Sequence, residues 1–550
     1  MQSTMMSVPL SLNHLLERAG TLFAGHEIVS RLPDKSLRTH SYAEFHRRAR
    51  RLAAALKGLG LKKGERVATL SWNHHAHLEC YFGIPAAGGV MHTLNLRLAA
   101  DEIGWIAADA KDRFLVVDDI LLPLWRQFAG LHAFEKVIVF PFSGAPVDTA
   151  AGLVDYEALL SGGDGAAFEY AEHDENEPVA MCYTSGTTGR PKGVVYSHRS
   201  TVLHSLVGCM GDNWALKASD VLLPVTPMFH ANCWGVPYGA VMTGTKIVFP
   251  GPHLHPDDLL DLIRDQPPTL ALGVPTIWLG LIQRLERADA EEPGRWRLPE
   301  GMRSMVGGAA VPESLIRAYA KHGVWIVQGW GMTETSPLAT VSTPLRDRGE
   351  GEMFRRAAMA GVPVPLVDVR IRADDGEDAP WDGRSVGEIQ CRGPFITGSY
   401  HHGASAANGA VATDDKFTAD GWLRTGDVAA MDALGFVRIT DRTKDLIKSG
   451  GEWISSVDLE NALMAHPAIA EAAVIAIPDP KWSERPLACI VLKPGQGGDN
   501  ELLVAGLGEH LLGHGFAKWQ LPERYEIIDT VPRTSTGKFW KLKLRERFPA

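Results

Sequence analysis

Between positions 41 and 60 the apolar residues Phe45, Ala49, Leu52, Leu56 and Leu59 recur at spacings of four and three. That period lines one face of a helix, with Ser41 placed to cap its first amides and Gly60 at the C′ position where a left-handed turn closes it. A polar turn, Lys62-Lys63-Gly64-Glu65-Arg66, leads into a short apolar run over 67–70, and similar helix-to-strand alternation continues to about residue 340. Such alternation predicts an α/β chain built on parallel sheets covered by helices. From about 360 to 440 the texture changes to short alternating runs such as Val367-Asp368-Val369-Arg370-Ile371-Arg372 and Gly387-Glu388-Ile389-Gln390-Cys391, separated by Gly, Asp and Pro turns. This predicts a small antiparallel or β-barrel-like subdomain at about 345–440. A charged break, Asp441-Arg442-Thr443-Lys444-Asp445, follows an expected strand over 435–440, and the roughly 105 residues beyond suffice for a separate core. Ala, Gly and Ser dominate 404–412, which reads as a surface loop, and no fixed-period repeat is evident.

The chain has 550 residues, enough for about three or four domains. With 45% apolar and 22% charged residues, global disorder, a coiled coil and a collagen-like repeat are excluded. A formal charge of −10 argues against a surface built to hold nucleic acid. The basic run Arg47, Arg48, Arg50 and Arg51 reads as a solvated helix face. Six cysteines, at 80, 182, 209, 233, 391 and 489, form no CxxC pair and predict buried thiols in a reducing, cytoplasmic compartment. The first ten residues lack a basic region followed by an apolar run, so no secretory leader is expected. The most apolar internal stretch, 270–282, is interrupted by Gly273, Pro275 and Thr276 and is shorter than the ~18 residues of a spanning helix, so no membrane span is expected. Histidines cluster at His74, His75 and His77, at His253 and His255, and at His401 and His402, but no carboxylate or cysteine lies at zinc-like spacing.

The sharpest motif is Tyr183-Thr184-Ser185-Gly186-Thr187-Thr188-Gly189-Arg190-Pro191-Lys192-Gly193, placed after the apolar run 179–182. Three glycines, four hydroxyls and two cations there can wrap N–H groups and positive charge around phosphate oxygens. It is not a Walker loop, because Lys192 lies three residues after Gly189 and is followed by glycine. Taken with Gln328-Gly329-Trp330-Gly331-Met332-Thr333-Glu334, Arg424-Thr425-Gly426-Asp427, the charged break at 441–445 and Pro532-Arg533-Thr534-Ser535-Thr536-Gly537-Lys538, the loop resembles, in order, the signature of adenylate-forming enzymes. Within them, Pro227-Met228-Phe229-His230-Ala231-Asn232-Cys233-Trp234 and Lys448-Ser449-Gly450-Gly451-Glu452-Trp453-Ile454-Ser455 are similar to the branch of medium- and long-chain fatty acyl-CoA synthetases, which also holds methylmercaptopropionate-CoA ligases.

The resemblance implies a large domain over 1–441 and a small mobile α+β domain over 442–550, hinged near Lys444. It implies a two-step reaction in which a carboxylic acid and Mg-ATP give an acyl-adenylate and pyrophosphate, after which coenzyme A displaces AMP. Lys538 is then the catalytic cation, and Thr184 with Glu334 the magnesium ligands. The nucleotide set comprises Thr184, Ser185, Gly186, Thr187, Thr188, Gly189, Lys192, Gly308, Ala309, Gln328, Gly329, Trp330, Gly331, Thr333, Asp427, Arg442, Lys444, Lys448 and Trp453. Of these, Trp330 is expected against adenine, and Asp427 and Arg442 on the ribose. Lys448, Gly450, Gly451 and Trp453 are expected to meet coenzyme A, Trp234 to gate the acyl tunnel, and His230 to sit by the carboxylate and help deprotonate the thiol. A homodimer is the implied assembly. Alternatives are a methylthio-alkanoate- or aryl-CoA ligase, a stand-alone adenylating enzyme that loads a carrier protein, and a non-catalytic nucleotide-binding module; joint retention of Lys538, Glu334, Thr184 and Asp427 argues against the last.

Overall fold

The structure is a computed structural model and describes residues 1, 3–184, 190–343, 349–402, 415–442, 445–449, 452–493, 495–496, 500–535 and 537–549, the side chains of 500–502 excepted. Helix Tyr42–Gly58 forms where the apolar period predicts it: the Ser41 hydroxyl accepts the Glu44 amide, and Gly60 at φ 83° closes the C-terminus. The strand Arg66–Leu70 follows. It sits inside a seven-stranded sheet ordered Val154–Asp155, Lys136–Phe140, Asp112–Asp118, Arg66–Leu70, Val90–Thr93, Pro178–Tyr183, Gly193–Ser197. All neighbours in it are parallel except the last pair.

A nine-stranded sheet has a parallel centre, running from Trp325–Gly331 through Arg303–Gly307, Leu270–Gly273, Val221–Pro224 and Lys246–Phe249 to Glu27–Arg31. Antiparallel strands flank it on both sides. Helix His75–Ala86 shows why the pattern lacks a helical period there: all twelve of its residues are buried, so no polar face is needed. The histidines at its start bond to protein groups, apart from His75 Nε2, whose ring bonds Ser30 Oγ through Nδ1 only. His74 Nε2 pairs with Asp118 Oδ1 at 2.8 Å, and His77 bonds Thr69 Oγ1 at 3.0 Å. The stretch 270–282 divides into a strand, Leu270–Gly273, and the start of helix Pro275–Glu291.

Over the region with alternating texture, Asp368–Arg372, Gly387–Arg392, Leu423–Met431 and Val437–Arg442 form a four-stranded antiparallel sheet. The last strand starts and ends two residues later than the expected 435–440. Asp441 and Arg442 remain in the ladder because Arg442 stands directly opposite Asp427, so an ion pair replaces the apolar contact that the pattern looked for. Beyond it lies a five-stranded sheet of Glu452–Ile454, Ile447–Ser449, Ser483–Leu492, Ile469–Asp479 and Arg524–Ile527, with its own core of Ile447, Leu459, Val474, Ile490 and Leu507.

Two expectations change. Arg48 is not solvated: it is buried and bidentate to both Glu79 and Glu157, clamping helix Tyr42–Gly58 to the central helix. Five cysteines are buried, but Cys209 is only partly so. The loop expected over 404–412 lies outside the described residues. Among the described residues no helix is long and apolar enough to cross a membrane.

Candidate active site

Segments that follow strands of both large sheets meet around the Lys538 loop, Asn95 and Arg97 after Val90–Thr93 and Gly308 after Arg303–Gly307, on the side where open α/β sheets bind ligands. Tyr183 ends one strand, and Thr184 begins the glycine loop, its backbone N–H donating to Lys192 O and its hydroxyl accepting from Lys192 N. Lys192 places its ammonium 4.7 Å from the Tyr400 ring. Ser185, Gly186, Thr187, Thr188 and Gly189 lie outside the described residues, as do Lys444, Gly450 and Gly451.

Gly307 ends the strand Arg303–Gly307 because nothing larger fits, and Gly308 follows it in a left-handed conformation. A Cβ on Gly307 would stand 2.5 Å from Gly329 O, and Gly308 holds φ 84°. A Cβ on Gly308 would meet Lys538 Cε at 3.8 Å and Trp234 Cζ2 at 3.9 Å, so the lysine stem and the indole cross above this glycine. Ala309 beside it is exposed. Trp234 itself stands on a run of left-handed residues, Ala231, Asn232, Cys233 and Trp234, with φ from 43° to 56°. Each costs about 1–2 kcal/mol, a strain that persists only where surroundings enforce it. Here Cys182 Sγ bonds Asn232 Oδ1 at 3.1 Å, and Cys233 Sγ bonds Thr226 O at 3.0 Å.

The strand Trp325–Gly331 supplies the next group. Its Gly331 is obligatory, since a Cβ would lie 1.7 Å from Pro337 O. Trp330 Nε1–H donates to Asp427 Oδ2 at 2.9 Å, and Arg442 Nε approaches Asp427 Oδ1 at 3.5 Å. Asp427 is therefore oriented from two sides, by an indole and by its cross-strand neighbour. Gln328 is turned to the protein, its Oε1 accepting the Val311 amide at 3.3 Å. Thr333 O accepts the Tyr196 hydroxyl at 2.8 Å. Glu334 is buried; the Tyr400 hydroxyl donates to its Oε1 at 2.6 Å, and the Thr397 amide to its backbone carbonyl at 2.8 Å. Tyr196, Thr397 and Tyr400 are absent from the sequence-derived set, because their roles rest on partners 66 to 137 residues away along the chain for the two tyrosines.

Lys538 comes from the far end of the chain. Burial, then the Arg442 guanidinium, draw its ammonium down to about 8, against the opposing pull of Asp427 and Glu334. His230 is pulled down to about 3, first by burial and then by the cations Lys538 and Arg97. The structure thus brings Lys538, Glu334, Asp427, Arg442, Trp330, Gly308, Trp234 and His230 to one cleft. Lys448 and Trp453 pair with each other across the hairpin Ile447–Ser449 and Glu452–Ile454, the ammonium 5.1 Å from the indole. Both are exposed, and no described contact joins them to the Lys538 group.

Residues 16–401 match the model of the AMP-binding enzyme family, and 458–538 match its C-terminal domain. A long-chain-fatty-acid–CoA ligase of Thermus thermophilus is 46% identical over 549 residues, covering 99% of this chain and 97% of its own. A 3-methylmercaptopropionyl-CoA ligase of Ruegeria lacuscaerulensis is 42% identical, covering 100% and 99%. The crystal structure of an anthranilate CoA ligase in complex with anthranoyl-AMP superposes with a TM-score of 0.85 at 25% identity, covering 100% and 99%. The chain belongs to the AMP-binding enzyme family, within the adenylate-forming superfamily.

Proposed function

We propose that the protein is an AMP-forming acyl-CoA ligase for a fatty or related carboxylic acid. One observation carries the reading: a lysine from the C-terminal segment is held charged and half-buried above Gly308, beside the oriented carboxylates of Glu334 and Asp427. In the first step a carboxylate oxygen bonds to the α-phosphorus of ATP, and the α–β anhydride bond breaks as pyrophosphate leaves. Two anions must approach, so a preorganised ammonium where charge gathers is the expected aid, worth several kcal/mol in such sites. In the second step the sulfur of coenzyme A bonds to the acyl carbon, the thiol proton is lost and AMP leaves.

Asp427, held by Trp330 and Arg442, is the acceptor for ribose hydroxyls, and the Trp330 ring offers adenine a stacking face. Glu334 and Thr184 would hold the magnesium that accompanies ATP; Glu334 Oε2 has no protein donor among the described residues, and oxygen donors suit a hard cation that neutralises phosphate charge. His230 is neutral and weakly basic while Lys538 is in place. When Lys538 withdraws, one of the two nearby cations leaves and His230 gains basicity, just when a thiol of pKa about 8.5 must lose its proton.

The same reading divides the chain at 441/442, with a mobile 442–550 unit hinged near Lys444. It is supported by the sheet that ends at Arg442 and the one that opens at Ile447. The reading also includes the homodimer, which sedimentation at two concentrations checks. The relatives' names favour fatty and methylthio acids over aryl acids. A coenzyme A-dependent AMP-release screen over C2 to C16, methylthio and aryl acids tests the function. Release with at least one acid, abolished in Lys538→Ala, supports it, and no release with any acid refutes it.

A further inference from the structure

Lys538 rides on a closed hairpin. Within it the Thr534 amide donates to Lys538 O at 2.8 Å, the Lys538 amide to Thr534 Oγ1 at 3.2 Å, and the Gly537 amide to Thr534 O at 2.9 Å. Arg533 bridges to Phe539 at its base and bonds Gly537 O at 3.2 Å. A hairpin so tied moves as one piece, so whatever grips Ser535 places the Lys538 ammonium.

The grip comes from the opposite end of the chain. Directly after the strand Val90–Thr93, Asn95 Oδ1 accepts the Arg97 amide at 3.0 Å, an Asx turn that fixes the Asn95 side chain. Asn95 Nδ2 donates to Ser535 Oγ at 3.1 Å, and Arg97 Nη1 donates to Ser535 O at 3.4 Å. Arg97 also lies 5.7 Å over the ring of buried Phe229, the residue before His230. Among the described residues no carboxylate lies within ion-pair distance of Arg97, although the residue is exposed. It is a cation spent on a carbonyl and a ring.

We infer that Asn95 and Arg97 form a docking hook, positioning residues that hold the Ser535 hairpin so that Lys538 serves the adenylation step and not the thioester step. The inference rests on the proposed ligase function. Neither residue touches the reacting atoms. Their effect is confined to the pose in which the hairpin is inserted, because both bonds run from the large sheets to the C-terminal segment. In the pose that admits coenzyme A, Lys538 and Ser535 are withdrawn together and the hook has nothing to hold.

The test uses full-length Asn95→Ala, Ser535→Ala and their double variant, with Arg97→Met alongside. Acid-dependent exchange of labelled pyrophosphate into ATP reads the first step, and single-turnover thioester formation from supplied acyl-adenylate and coenzyme A reads the second. Asn95→Ala and Ser535→Ala are each expected to lower the exchange kcat about three- to tenfold, the net worth of one hydrogen bond, with the KM for ATP and the thioester rate unchanged; Arg97→Met is expected to lower the exchange kcat likewise without a fall in the thioester rate, since it also removes a cation that depresses His230. The double Asn95/Ser535 variant is expected to be no worse than either single one, since both remove the same bond. Amide hydrogen exchange over 532–540 in nucleotide-free enzyme is expected to quicken in all of them, a readout that needs no activity. Unchanged exchange kinetics, equal loss in both half-reactions, additive Asn95 and Ser535 effects, or unaltered hydrogen exchange would each overturn the hook. A wild-type enzyme inert with every acid overturns the ligase reading instead, while hydrogen exchange still decides the hook.

Discussion

The most exposed consequence of the site is the alkaline limb of adenylation. Lys538 must be protonated to neutralise the meeting anions, yet burial and Arg442 bring it down to about 8 from a usual 10.5. At about 1.4 kcal/mol per pH unit, keeping the ammonium charged in the cleft costs about 3 kcal/mol before anionic substrates arrive. At pH 7 about nine-tenths of the free enzyme carries the charge, and at pH 9 about one-tenth does. Because kcat/KM reports groups of the free enzyme, kcat/KM for pyrophosphate exchange should fall as pH rises through about 8. The limb in kcat should lie higher, since bound triphosphate and carboxylate favour the charged form. Lys538→Arg supplies the control: a guanidinium stays charged throughout, so its residual activity should show no such limb. A wild-type profile flat to pH 10, or the same limb retained in Lys538→Arg, would refute the assignment of the limb to Lys538.

Two further outcomes follow from the same geometry. Trp330→Phe keeps a ring for adenine but removes the donor that orients Asp427; the KM for ATP should rise about tenfold while the KM for the acid stays put, and a rise under about twofold would remove the indole N–H from the account. Burial holds His40 and His198 down at about 4 and His77 and His204 at about 3, so each is neutral in the folded chain where an unfolded one titrates near 6.5. Folded pKa values below unfolded ones mean stability is present above pH 6.5 and lost as pH falls from there toward 4, at about 1.4 kcal/mol per pH unit for each fully differing histidine. Thermal melts at pH 7.5 and 5 measure this, and an unchanged melting temperature would contradict it.

Much of the architecture was legible because it is local. Helix Tyr42–Gly58 announces itself through period and caps, and strands such as Arg66–Leu70 through short apolar runs between turn residues. Gly308, over which the Lys538 stem passes, was legible only through the family resemblance. What escaped is what depends on partners far along the chain. Helix His75–Ala86 is buried on every side and so carries no period. Arg48 looks like a solvated charge until Glu79 and Glu157 fold onto it. Tyr400 reaches Glu334 from 66 residues away, and Asn95 meets Ser535 across 440. A spacing rule has no reach over such distances. Arg442 is intermediate: its charge suggested a break, whereas its place opposite Asp427 makes it part of a strand and of the site.

On the proposed function, the Lys538 cleft joins an organic acid to the α-phosphorus of ATP. Equilibrium exchange of labelled pyrophosphate into ATP, run with magnesium and without coenzyme A, measures that bond directly. Label is expected in ATP only when a suitable acid is present, and its incorporation is expected to be lost in Lys538→Ala. No incorporation with any acid, or incorporation indifferent to acid and to Lys538, would contradict it.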